Sequence, residues 1–156
     1  MKRMLEYRLH YMKSTIVEQD IAQIIDVLKT DLKQLEGKTI LISGGAGFLG
    51  SYFLQVIDKA NKQLQLRCSI VCVDNYITGS RKGLTRPRAS KHIVYVQHDV
   101  SKSLRVRRKF DYIIHAAGIA SPVYYRQYPL EAIEVNTQGT KNLLELARRN
   151  KLKSFL

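Results

Sequence analysis

At 156 residues, 45% hydrophobic and 25% charged, the chain is long enough for one domain with a buried core and too short for two of ordinary size. No run of 18 apolar residues occurs and the N-terminus lacks the apolar centre of a signal peptide, so no membrane partner is expected and the cytoplasm is the expected compartment. A formal net charge of +13 leaves three kinds of partner open: nucleic acid, an anionic surface, or the diphosphates of a small ligand.

Residues 1–36 read as a helical extension. Thr15-x-x-Glu18 is a capping box, and Ile21, Ile24, Ile25, Leu28, Leu32 and Leu35 recur at helical spacing before Gly37 ends the run. One apolar stripe must cover something: the domain that follows, another part of the protein, or a second subunit. The first thirteen residues, with Lys2, Arg3, Arg8 and Lys13, have only a faint likeness to a transit peptide, and Glu6 counts against it.

The apolar stretch Thr39-Ile40-Leu41-Ile42 runs directly into Ser43-Gly44-Gly45-Ala46-Gly47-Phe48-Leu49-Gly50. Small residues stand here where a strand turns sharply into a helix, which lets a pyrophosphate approach the backbone and meet the amides of the helix N-terminus. Phe48, Leu49, Phe53, Leu54, Val56 and Ile57 supply the apolar side of that helix. A second buried strand, Ser69-Ile70-Val71-Cys72-Val73-Asp74, closes on an acid. A carboxylate there accepts hydrogen bonds from both adenosine ribose hydroxyls and repels a 2′-phosphate, so Asp74 argues for NAD over NADP. Cys68 and Cys72 point to one face of this strand about 13 Å apart at ~3.3 Å per residue, too far for a disulfide and without partners for a zinc site, so both read as buried thiols.

Gly79-Ser80-Arg81-Lys82-Gly83 and Arg86-Pro87-Arg88 mark a loop. His92 to Gln97 forms the third strand, Phe110 to His115 the fourth, and Leu130 to Asn150 a long helix. This alternation predicts an α/β fold, a Rossmann-type doubly wound parallel sheet of order 3-2-1-4 with the fifth strand beside the fourth, occupying residues 37–156. Ten basic residues against one acid, Asp99, fall between Arg81 and Lys109. That segment lacks interleaved aromatics and straddles the third strand, so it reads as a solvated face in preference to a nucleic-acid site.

Gly44-x-x-Gly47-x-x-Gly50, Val73-Asp74-Asn75-Tyr76-Ile77-Thr78-Gly79, His98-Asp99-Val100, His115-Ala116-Ala117-Gly118 and Asn136-Thr137-Gln138-Gly139-Thr140 occur in that order. From Lys38 to Leu156 the chain thereby resembles the extended short-chain dehydrogenase/reductase family, and most of all its NAD-dependent nucleotide-sugar epimerases, dehydratases and decarboxylases. Ala120-Ser121-Pro122-Val123-Tyr124-Tyr125-Arg126-Gln127-Tyr128-Pro129 leans toward the UDP-glucuronate decarboxylase branch.

The resemblance implies that Gly44, Gly47, Phe48, Leu49 and Gly50 hold the pyrophosphate. It implies further that Asp74, Asn75 and Thr78 meet the adenosine ribose and a phosphate, that Asp99 and Val100 border adenine, and that Ala116, Ala117 and Gly118 are small to let NAD pass. Ser121 and Tyr125 are candidates for contact with the nucleotide-sugar substrate; Tyr124 and Tyr125 serve either the sugar or uracil, or simply cover the loop. His115 reads as a hydrogen-bonded structural residue at a strand end, and Asn136 as a holder of structure or water.

None of the nine tyrosines is followed by lysine four residues later, so the Tyr-x-x-x-Lys pair the family uses is not in this sequence and no catalytic residue is assigned. The resemblance therefore implies the NAD-binding, N-terminal part of a longer enzyme acting by transient oxidation at sugar C4, stopping near the fifth strand. The open sheet edge there predicts a homo-oligomer. A cofactor-binding regulatory or interaction module is the alternative, and a basic nucleic-acid-binding protein the third reading.

Overall fold

The computed structural model describes residues 16–78 and 90–156. Thr15 of the capping box, the loop around Gly79 and Gly83, and Arg86-Pro87-Arg88 lie outside the described residues.

Helix α1 covers residues 16–27, α2 spans Lys29–Leu32, and a 3-10 turn follows at Lys33–Leu35. The expected single helix is therefore interrupted: Leu28 sits at φ −97°, ψ 15°, although its carbonyl still accepts from Leu32 N–H at 2.8 Å. Gly37, at φ +65°, ends the segment as read. The stripe packs against the domain that follows it. Ile21 and Ile25 are buried in one cluster with Ile40, Ile42, Leu54 and Ile57, and Tyr52 donates to Asp20 across the two helices at 3.0 Å.

The remaining elements are β1 (Thr39–Ser43), α3 (Phe48–Leu64), β2 (Ser69–Asp74), β3 (Ile93–Gln97), β4 (Tyr112–His115), α4 (Pro122–Gln127), α5 (Pro129–Glu134), a π turn (Val135–Gly139), α6 (Thr140–Asn150) and β5 (Ser154–Phe155). All pairings are parallel and the order is β3-β2-β1-β4-β5, the expected Rossmann arrangement. Strand alternation divides the core. Ile40, Ile42, Ile70 and Cys72 face α1 and α3, whereas Leu41, Val71, Val73 and Ile113 face Leu143 and Leu146 of α6.

Several boundaries differ from the sequence reading. The third strand begins at Ile93, not His92, and the fourth at Tyr112, not Phe110, whose N–H goes instead to Asn150 Oδ1 at 3.0 Å. The long helix from Leu130 is divided by its π turn. Side chains of Asn136, Thr137 and Thr140 each donate to the carbonyl four residues back, at 2.7, 2.9 and 2.8 Å, and this competition accompanies the widened turn. Of the six residues read as the apolar side of α3, Leu54, Val56 and Ile57 are buried, with Ala60 beside them, whereas Phe48, Leu49 and Phe53 are exposed and line an apolar groove of about 740 Å³.

Cys68 lies one residue ahead of β2 instead of on it, while neither cysteine is in a disulfide and both are fully buried in the same cluster. Burial pushes the Cys68 thiol up to about 12, so it stays protonated and inert. Its backbone is gripped by one side chain: Asn61 Nδ2 donates to Cys68 O and Asn61 Oδ1 accepts from Cys68 N–H, both at 2.8 Å. This pair fixes where β2 enters the sheet. Replacing Asn61 by Leu strands a buried N–H and a buried C=O, and the expected loss is about 2–4 kcal/mol, read by urea denaturation. A loss under half a kcal/mol means that the backbone finds other partners.

Candidate functional site

The site forms where the parallel strands end. Ser43 closes β1, and Gly44 turns the chain at φ +71°, held by its own N–H to Val73 O at 2.8 Å. A Cβ at Gly44 would sit 2.5 Å from the backbone of Ala117, so the loop rests directly on the end of β4. Gly47 N–H returns to Gly44 O at 3.0 Å, and the first helical bond runs from Ser51 N–H to Gly47 O. The amides of Phe48, Leu49 and Gly50 therefore precede the hydrogen-bond ladder of a 17-residue helix, which is the geometry that attracts an anion.

The glycines differ in purpose. Gly50 packs against Gly44 O, where any Cβ would collide, and does not line the cavity. Gly47, at φ −75°, has only Gly44 O near the place of a Cβ, at 3.1 Å, and otherwise opens onto empty space.

That space is a cavity of about 430 Å³, within the range of small-molecule and cofactor sites. Gly44, Gly47 and Phe48 form one wall, Asp74, Asn75 and Thr78 the next, Asp99 and Val100 a third, and Ala116, Ala117, Gly118 and Ser121 the floor. Two of the sequence candidates stand elsewhere besides Gly50: Leu49 lies in the apolar groove, and Tyr125 is replaced on the wall by its neighbour Tyr124. Ala46, Ile77, His98, Ser101, Ile119 and Val135 also line the cavity, as do Glu131 and Glu134 of α5. No sequence signal marked the glutamates, since they reach the site only through the packing of α5.

Asp74 has a structural duty that its spacing did not reveal. Its Oδ2 accepts from Ala46 N–H at 2.9 Å and its Oδ1 from Tyr76 N–H at 2.8 Å, pinning the glycine loop to the end of β2. Each oxygen retains a lone pair for a ligand hydroxyl. Asp99 is similar: its Oδ1 accepts from Ser101 N–H at 2.9 Å, shaping the turn after β3. Asn142 donates to Val100 O at 2.9 Å and ties that turn to α6.

Beneath the floor, Ser43 is fully buried and joins β1 to β4. Its carbonyl accepts from Ala116 N–H at 3.0 Å, its hydroxyl oxygen lies 3.4 Å from Ala117 N–H, and it bonds His115 Nδ1 at 2.7 Å. His115 lies off the cavity wall, in the structural position read from sequence.

A family model described as the NAD dependent epimerase/dehydratase family matches residues 40–156. The chain belongs to that family. UDP-glucuronic acid decarboxylase 3 of Arabidopsis thaliana is 38% identical over 110 residues, covering 70% of this chain and 30% of that protein. UDP-glucuronic acid decarboxylase 1 of Danio rerio is 34% identical over 118 residues, covering 76% and 26%. Among solved structures, DesIV, the dTDP-glucose 4,6-dehydratase of Streptomyces venezuelae with NAD and TYD bound, is 26% identical at a TM-score of 0.63, covering 75% of this chain and 38% of that one. Epimerase Mth375 of Methanothermobacter thermautotrophicus, 21% identical at a TM-score of 0.69 and covering 84% and 38%, shares the fold. The chain thus spans about 30% of the length of the first of these decarboxylases.

Burial holds His115 below the ordinary imidazole value of 6.5, against an opposing influence of the Val135 carbonyl. Protonation is thus easier in the unfolded chain, so the stability this residue contributes is full above about 6.5 and falls as pH drops toward its folded value. Urea unfolding from pH 8 to pH 5 is expected to show a smaller acid loss in His115→Asn than in the wild type. Equal losses would remove His115 from the pH response.

Proposed function

We propose that the cavity at the strand ends binds NAD and that the chain is the cofactor-holding part of an enzyme remodelling a nucleotide sugar, of the decarboxylase, epimerase or dehydratase kind. The observation that carries this is the glycine loop: an open Gly47 and Phe48, at the N-terminus of α3, line the cavity, while Asp74 stands beside them with lone pairs to spare. The residues suit the cofactor. An anionic pyrophosphate meets the N-terminus of α3, ribose hydroxyls meet Asp74, and the small Ala116-Ala117-Gly118 floor admits a flat ring system.

The start of α3 and Asp74 would hold NAD, which would supply reversible hydride acceptance at a sugar carbon, the chemistry that elimination, epimerisation or decarboxylation at neighbouring carbons needs. The chain's own residues hold and orient. Ser121 and Tyr124, on the wall that α4 opens, are the proposed substrate contacts, and the Tyr-x-x-x-Lys pair is not among the residues of this sequence. In this reading residues 37–156 are the dinucleotide-binding domain and residues 1–36 its N-terminal extension, of which residues 16–36 cover it, in a cytoplasmic protein that self-associates. Decarboxylation is the favoured chemistry, because the curated relatives quoted above act as UDP-glucuronic acid decarboxylases.

Calorimetric titration tests the reading. The wild-type chain is expected to bind NAD more tightly than NADP, and Asp74→Ala to lose about 1.5–3 kcal/mol of NAD affinity, roughly 10- to 150-fold. Because Asp74 also pins the loop, the NAD-to-NADP ratio is the deciding quantity: it should shrink toward one. Equal weakening of both ligands would leave Asp74 a loop fastener only, and tighter NADP binding by the wild type would overturn the cofactor assignment.

The glycines give a second test. Gly47→Val should fold with little change in melting temperature and show no heat of NAD binding, whereas Gly44→Val should fail to reach the native state, since it needs a positive φ and the space of the Ala117 backbone. Retained NAD affinity in a folded Gly47→Val chain would reduce the glycine run to a turn.

A further inference from the structure

Opposite the cavity, the parallel sheet gathers every strand start on one edge, and each start carries a cation. In the order of the sheet, Lys91 stands two residues before β3, Arg67 two before β2, Lys38 one before β1, Lys109 three before β4 and Lys153 one before β5. Backbone bonds fix this alignment. Ile70 N–H meets His92 O, Ser69 N–H meets Lys38 O, Asp111 N–H meets Thr39 O and Lys153 N–H meets Asp111 O, each at 2.8 Å. At ~4.8 Å between neighbouring strands, the five starts extend over about 19 Å.

Two carboxylates stand on this edge among the cations: Glu36 pairs with Arg67 at 2.6 Å, and Asp111 accepts from Thr39 N–H at 2.9 Å; the nearby Lys62 pairs with Asp58 at 2.7 Å. Among the described residues no carboxylate lies within ion-pair distance of Lys38, Lys91, Lys109 or Lys153. Arg67, Lys62 and Lys91 also share one shallow depression with Ser90 and His92.

We propose that this edge binds a nucleic-acid strand through its phosphates, independently of the dinucleotide site and without reading bases. The linear order of the cations fits a phosphodiester chain laid across the strand starts. An anionic membrane is the weaker fit, since the exposed aromatic residues Phe48 and Tyr124 stand at the opposite edge by the cavity and Phe53 lies in the apolar groove. No aromatic residue is in the row, so base stacking and sequence preference are not expected. The sequence reading treats the Arg81–Lys109 segment as a solvated face because it lacks interleaved aromatics and straddles the third strand; the strand order sets Lys91 and Lys109 of that segment in one row with Lys38, Arg67 and Lys153.

Anisotropy of a labelled 20-nucleotide polyuridine tests this on the full chain. Five phosphate contacts on a single strand should weaken binding about a hundredfold between 50 and 200 mM salt. The pair Lys109→Glu with Lys153→Glu should abolish most binding and flatten the salt slope by about 1.4 or more, and Lys109→Gln with Lys153→Gln should give an intermediate loss. The control pair Arg126→Glu with Lys141→Glu makes the same change in net charge on exposed positions of α4 and α6 away from the edge, and should leave most affinity in place. No binding at 50 mM salt, or an equal loss in the control, overturns the proposal. So does tighter binding to phosphatidylcholine vesicles containing 20% phosphatidylserine than to the polyuridine at matched phosphate.

Discussion

The common direction of the five strands is the constraint on which the rest depends. In a parallel sheet every chain leaves on one edge and enters on the other, so the two edges acquire different chemistry without any further arrangement. The exit edge collects turns, helix N-termini and short side chains around a cavity. The entry edge collects the residues that precede strands, and in this chain a lysine or arginine stands within three residues of each strand start.

At the exit edge the decisive quantity is distance between backbones. Gly44 touches Ala117, and Gly50 packs on Gly44 O, so strand, loop and helix meet with no side chain between them. This closeness sets the start of α3, Gly47 and Phe48, on the cavity wall. Asp74 completes the arrangement from β2 by accepting the Ala46 amide, and Ser43 with His115 ties β1 to β4 below. The same carboxylate that suits a ribose is thus also a structural fastener, and the two duties are separable only by comparing ligands that differ at the 2′ position.

The helical layer is less regular than the sheet. Around Asn136 and Thr137, side-chain donors take carbonyls that an α-helix would use, and the π turn there accompanies the divide between α5 and α6. α5 sends Glu131 and Glu134 to the cavity wall, while α6 covers Leu41 and Ile113 with Leu143 and Leu146. On the other face, α1 and α3 close over β1 and β2 but leave an apolar groove bounded by Phe48, Leu49 and Leu156.

The strands, their order, the helix beginning after Gly47 and the acid closing β2 were legible in the sequence because each depends on local rules: apolar runs, glycine where φ must be positive or backbones touch, and a periodicity of two or 3.6. Twelve residues expected at the site share one cavity wall for the same reason, since strand ends of known order must converge. What the sequence left undecided depends on packing across distant segments. Whether Leu49 and Phe53 or Leu54 and Ile57 would be buried turned on the placement of α1, and the exchange of Tyr125 for Tyr124 on the wall turned on the rotation of α4. Asn61 gripping Cys68, Glu131 entering the cavity and five dispersed cations forming one row are products of tertiary structure alone, because no local pattern encodes which residues meet once the chain has closed.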